Sequence, residues 1–211
     1  MEKFTDNFIE RFPELENIVD SLKEASNIII KAFENNNSLY LCGNGGSAAD
    51  CEHIVGELLK SFKCKRNLNI DLKEKFKKYG KDGQDLAEKL EEGLRVIALT
   101  SHPAFTTAFS NDVDASMVFA QQLMALSQKD DVVMGISTSG NAENIKKCFI
   151  TAKVKGLKTV LLSGATGGNC AEFADCIIKV PETETFLIQE KHVGIYHTIC
   201  LIVEDYFYGP K

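Results

Sequence analysis

Tryptophan is absent from this 211-residue chain, proline occurs four times, and none of the seven cysteines falls in a C-x-x-C pair. Cys42, Cys51, Cys64, Cys148, Cys170, Cys176 and Cys200 are odd in number and scattered. That spacing excludes a zinc ribbon, a thioredoxin-type dithiol and a disulfide framework. It is the pattern of buried, reduced thiols in a cytoplasmic protein. No apolar run approaches the roughly 18 residues that cross a bilayer, so no membrane partner is expected. The stretch MEKFTDNFIERF mixes acids and bases and lacks the apolar segment of a signal peptide. Lys and Arg number 24 against 30 Asp and Glu, for a net charge of −6. With no basic stripe, nucleic acid is excluded as a default partner, and any anion must be held by local dipoles.

What is present alternates. Short apolar runs at 39–42, 96–99, 132–136, 159–162 and 176–180 are separated by segments of helical periodicity. Strands apolar at nearly every position predict a parallel sheet covered by helices on both faces, within one domain over 1–211. Residues 1–37 read as a helical segment that Pro13 divides and Asn35-Asn36-Asn37 stops. Residues 60–93 are rich in Lys, Glu and Asp. They read as a solvated insertion of two helices, the second carrying Leu86, Leu90 and Leu94 and ended by Gly93.

Two turns at strand ends stand out, because ligands of such sheets sit at the carboxyl ends of strands. Gly43-Asn44-Gly45-Gly46-Ser47 opens a helix. Free backbone N–H groups and a positive helix end make such a turn an anion site. Gly43-x-Gly45-x-x-Ala48 meets the dinucleotide fingerprint only in part, since the acid expected about 20 residues on is replaced by the basic stretch 63–66. No Gly-Lys-Ser/Thr follows either, so no nucleotide cofactor is expected. Ser137-Thr138-Ser139-Gly140-Asn141 is the second turn. One hydroxyl suffices for a helix cap; three beside a glycine suit a small phosphate ester.

The helix after the first turn carries Asp50, His53 and Glu57. His53 and Glu57 lie about 40° apart on one face, which fits either a surface pair or a shared site. In the final helix, Gln189 and His197 are eight residues apart and face broadly the same side, with His192 turned away. Alone, a histidine such as His197 on a mainly apolar helix is more often a satisfied core or interface group than a ligand.

Together these residues carry a resemblance. Gly43-Asn44-Gly45-Gly46-Ser47-x-x-Asp50-x-x-His53-x-x-x-Glu57, Asn111-Asp112, Gly135 to Asn141, and Gln189-Glu190-x-His192 with His197 resemble the signature of the phosphoheptose isomerases. The resemblance spans nearly the whole chain outside 60–93. It implies the sugar isomerase (SIS) fold, a flavodoxin-like, doubly wound three-layer α-β-α sandwich with a central parallel sheet. It further implies aldose–ketose isomerisation of sedoheptulose 7-phosphate. Glu57 and His197 would be the acid/base pair. Asn44, Gly45, Gly46, Ser47, Asp112, Ser137, Thr138, Ser139, Asn141 and Gln189 would meet the substrate. His53, Glu57, Gln189 and His197 would form a zinc site. The family resemblance also implies a homotetramer in which a neighbouring subunit completes each site, so that the His197 helix need not reach Glu57 within one chain. Three stretches depart from the family pattern. Lys60-Ser61-Phe62 stands where members often carry an Arg four residues after the glutamate. The insertion is more charged than usual, and the stretch 183–188 differs before Gln189. These changes at the site mouth keep open an isomerase of another phosphosugar, beside a non-catalytic phosphosugar-binding or adaptor protein of the same fold.

Overall fold

Every residue of Leu39–Gly43 (β1) and Val132–Ser137 (β3) is buried. A strand buried on both faces belongs inside a parallel sheet rather than at a solvated face. The computed structural model, which describes residues 1–210, places these two strands side by side. With Val96–Ala98 (β2), Lys158–Ser163 (β4) and Cys176–Lys179 (β5) they form a five-stranded, all-parallel sheet in the order β2-β1-β3-β4-β5. Register pairs Leu41 with Met134 and Gly43 with Ile136.

Alternation along each strand sorts the core into two layers. Leu39, Leu41, Val132, Met134 and Ile136 pack with Val19–Glu34 (α2), Gly46–Leu59 (α3) and Thr185–Tyr208 (α9). Tyr40, Cys42, Val133 and Leu161 face the other way, against Val118–Leu126 (α7) and Glu143–Lys155 (α8). This is the expected three-layer sandwich. Chain order reverses between β1 and β3, and the crevice beyond their carboxyl ends is where such sheets take ligands. The two turns singled out in the sequence follow these two strands. Among the described residues no helix is long and apolar enough to cross a membrane.

The N-terminal segment divides at Pro13 as expected. Glu2–Arg11 (α1) is followed by a 3-10 turn at Pro13–Ile18 and then by α2. Between α3 and β2 stands a hairpin of Ile70–Lys77 (α4) and Gly80–Lys89 (α5). Two expectations about it need correction. Gly93 does not end α5, which stops four residues earlier. Its role is a close pass: a Cβ there would lie 2.5 Å from the Leu59 carbonyl oxygen. Leu94 therefore belongs to the extended run into β2 and is buried, so its four-residue spacing from Leu90 is not helical. The insertion is also not solvated throughout. Arg66, just before α4, is among the largest fully buried side chains. It is paired with Glu204 of α9 at 2.8 Å. Pro103–Phe109 (α6) precedes a π-helical turn at Ser110–Asp114.

Candidate active site

The first turn is shaped by Gly45, whose φ of +55° is the left-handed region that favours glycine. Gly46 then starts α3, a 14-residue helix that aims its N-terminal end at the sheet crevice. Across the crevice, Gly140 adopts φ +68°, and a Cβ on it would lie 1.9 Å from the Gly167 carbonyl oxygen. A side chain there is excluded on both counts. Asn44, Ser47, Ser137, Thr138, Ser139 and Ala142 line the cavity of about 180 Å³ between the two turns. The starts of α3 and α8 both lie at this cavity, so two positive helix ends face it.

The hydroxyls divide by task. Ser137 Oγ accepts the Gly140 N–H at 3.1 Å, and Ser139 Oγ accepts the Asn141 N–H at 3.2 Å. Those two serines brace their own loop. Asn141 is held as well: its Oδ1 accepts the Asn169 N–H at 3.0 Å. Thr138 and Ser47 hydroxyls make no hydrogen bond among the described residues, which leaves both available to a ligand in the cavity. Asn44 and Asn144 bridge the crevice through two reciprocal amide bonds of 3.0 and 2.9 Å. The Gln189 amide lies against Gly46, where a Cβ would come within 2.7 Å of its nitrogen. Asp112 is exposed in the π-helical turn, accepts from Asn111 at 2.9 Å, and does not line the cavity.

Further along α3 the ionisable groups converge. His53 Nε2 is 3.2 Å from Glu57 Oε1 and 3.4 Å from His197 Nε2. One donor atom from each of the three lies within 4.8 Å of the others. No neighbouring subunit is needed for His197 to approach Glu57: α9 packs along α3 and brings it there within one chain. Burial, helped by His53, pushes the His197 imidazole below its usual pKa, favouring the neutral ring. Glu57 Oε2 is buried and without a hydrogen-bond partner. The nearest cation, Lys60 Nζ, is 3.8 Å from it. Two imidazole nitrogens aimed at each other beside the Glu57 carboxylate form an N/O set that suits a divalent cation such as zinc.

Several groups around the cluster escaped the sequence reading. Tyr196 hydroxyl is 2.9 Å from His53 Nδ1 and 3.3 Å from Asp50 Oδ1. Adjacency to His197 on a helix that leans on α3 is the signal that could have pointed to it. Arg66 donates to the carbonyls of Leu58 and Glu57 at 2.7 and 3.0 Å and so holds the last turn of α3. Its partner Glu204 follows the apolar run Leu201-Ile202-Val203 and precedes Asp205; of the two acids Glu204 is the buried one, which the sequence does not distinguish. His192, turned away as expected, is fully buried with neither ring nitrogen bonded. Burial lowers its pKa to about 4, the nearby Ser163 backbone only partly opposing this.

The SIS domain family is matched twice, over residues 3–75 and 93–203. Phosphoheptose isomerase 2 of Campylobacter jejuni is 41% identical over 92% of this chain and 84% of its own length. The chain belongs to the phosphoheptose isomerase family. The Helicobacter pylori phosphoheptose isomerase is 35% identical over 92% of this chain and 88% of its own. Among solved structures, the phosphoheptose isomerase of Neisseria gonorrhoeae superposes with a TM-score of 0.75 at 28% identity, covering 95% of both chains. The two SIS matches of this phosphoheptose isomerase family member leave 76–92 unmatched, which is the turn of the hairpin and α5.

Proposed function

We propose that this protein interconverts sedoheptulose 7-phosphate and D-glycero-D-manno-heptose 7-phosphate through an enediol. The observation that carries this reading is the division of α3. Its start borders the hydroxyl-lined cavity, and its later turns carry the ionisable cluster. His53 and Glu57 follow Ser47 by six and ten residues, about 9 and 15 Å along the helix axis. A phosphate held by Ser47, Thr138 and the two helix ends leaves the far end of an extended sugar near the cluster. Remote binding of this kind orients the reacting carbons.

Isomerisation moves one proton between C1 and C2 and another between their oxygens, with no net oxidation. Glu57 and His197 are assigned to these transfers, one as base toward carbon and one as acid toward oxygen. Asn44, Asp112 and Gln189 are assigned to the sugar hydroxyls. Asn44 must release Asn144 to do so. Gly45 and Gly46 let the sugar backbone approach, while Ser137, Ser139 and Asn141 keep the phosphate loop in shape. His53, Glu57 and His197 would hold a zinc ion; Gln189, the fourth member of the family set, lies against Gly46 seven residues before His53 and would have to move to join them. That ion would polarise the carbonyl oxygen and offset the charge developing on it. The enzyme is further proposed to be a cytoplasmic homotetramer.

The test is an isomerase assay on a panel of phosphorylated ketoses and aldoses, with and without chelator. Turnover of sedoheptulose 7-phosphate that is lost in Glu57→Gln and in His197→Gln supports the reading. Absence of turnover with every sugar refutes it, and chelator-insensitive turnover removes an essential zinc.

A further inference from the structure

We propose that Tyr196 is a positioning residue which, backed by Asp50, fixes the His53 ring so that Nε2 offers its lone pair to the ion between Glu57 and His197. The inference rests on the zinc reading above and adds residues outside the proposed donor set. A phenol has one proton and two neighbours here, Asp50 Oδ1 at 3.3 Å and His53 Nδ1 at 2.9 Å. The carboxylate is the stronger acceptor and takes the O–H. The phenol oxygen can then only accept, so His53 must carry its proton on Nδ1. Its Nε2 is left bare, facing Glu57 Oε1 at 3.2 Å and His197 Nε2 at 3.4 Å. Lone pairs converging from a carboxylate and imidazoles repel one another unless a cation sits among them.

Tyr196 is suited to this task. It is 1% exposed, and its ring stands edge-on to both imidazoles, with centroids 5.5 Å from His53 and 5.0 Å from His197. Partners that hold a ligand's far nitrogen fix the ring tautomer and orientation, and losing one typically weakens metal binding about 10–100-fold.

Zinc affinity of the metal-stripped protein, measured by competition with a chromophoric chelator, decides the matter. Wild type is expected to bind, and Tyr196→Phe to bind about 10–100-fold more weakly with the melting temperature of the metal-free protein unchanged. Asp50→Asn is expected to weaken binding in the wild-type background and to add little to Tyr196→Phe, because both act through one hydroxyl. Should Tyr196→Phe lower the metal-free melting temperature, Asp50→Asn alone decides. Wild-type affinity in the deciding variant overturns the inference while leaving the zinc site standing. A wild type that takes no zinc overturns the zinc reading and this inference with it.

Discussion

Replacing Arg66 by Met tests whether the end of α3 is held by a buried charge. Arg66 and Glu204 side chains are 0% and 1% exposed and meet at 2.8 Å. Glu204 also accepts the backbone N–H groups of Phe62, Lys63 and Cys64 at 2.8, 2.8 and 3.0 Å. Arg66→Met would leave that carboxylate with three neutral donors and no cation. It would also strip the carbonyls of Leu58 and Glu57 of their donor. Removing one partner of a buried pair costs about 3–5 kcal/mol, because the other charge stays buried. At roughly 2–4 °C per kcal/mol for a chain of this size, the melting temperature should fall by about 6–20 °C. The assays are thermal unfolding for the melting temperature and urea unfolding for the free energy, both followed by circular dichroism at pH 7. The double variant Arg66→Met/Glu204→Gln should recover part of the loss, since no lone charge remains and the amide oxygen can still accept from the 62–64 backbone. Acidity supplies a second reading. Burial alone would raise the Glu204 pKa, but the three backbone donors and Arg66 outweigh it and hold it below the usual carboxylate range. A lowered folded pKa means stability that is fully present above the unfolded value and lost as pH falls through the folded one. The gap between wild type and Arg66→Met should therefore narrow in acid. A gap under about 1 kcal/mol at pH 7, or one that widens in acid, refutes the reasoning.

Glu57→Gln keeps the shape of the side chain but not its basicity, and kcat should fall about 10²–10⁴-fold with KM little changed. Thr138→Val deletes a free hydroxyl in the phosphate cavity. A hydrogen bond to a charged group is worth about 1.5–3 kcal/mol, so KM should rise about 10–100-fold, read in steady-state kinetics. His192 has a folded pKa of about 4 against an ordinary 6.5. Its folded pKa is depressed, so the unfolded chain binds the proton more readily, and stability should drop as pH falls from about 6.5 toward 4. The loss should reach about 3 kcal/mol, at 1.36 kcal/mol per pH unit. Urea unfolding of His192→Leu across that range should lack this component.

The sheet was legible because its strands are apolar at nearly every position and end in turns rich in glycine and serine. Such a strand has few other places to go. The site was legible in its parts: α3 places His53 and Glu57 on one face by helical geometry alone. That His197 meets them within one chain was not legible, since it depends on how α9 leans on α3. The link between Arg66 and Glu204 spans 138 residues and lies in a segment that reads as surface by its charge. Gly93 and Leu94 misled because four-residue leucine spacing and a trailing glycine imitate a helix end. Only the tertiary approach to Leu59 explains the glycine.

α9 is the last of the described elements to be synthesised, and it supplies Gln189, Tyr196, His197 and Glu204. A nascent chain that has completed β5 already possesses both turns of the phosphate cavity. It lacks His197 of the proposed proton-transfer pair, Tyr196 beside His53, and Glu204, the partner of Arg66 at the end of α3. Under the proposed assignment, the proton-transfer pair is complete only once α9 has been made and packed against α3.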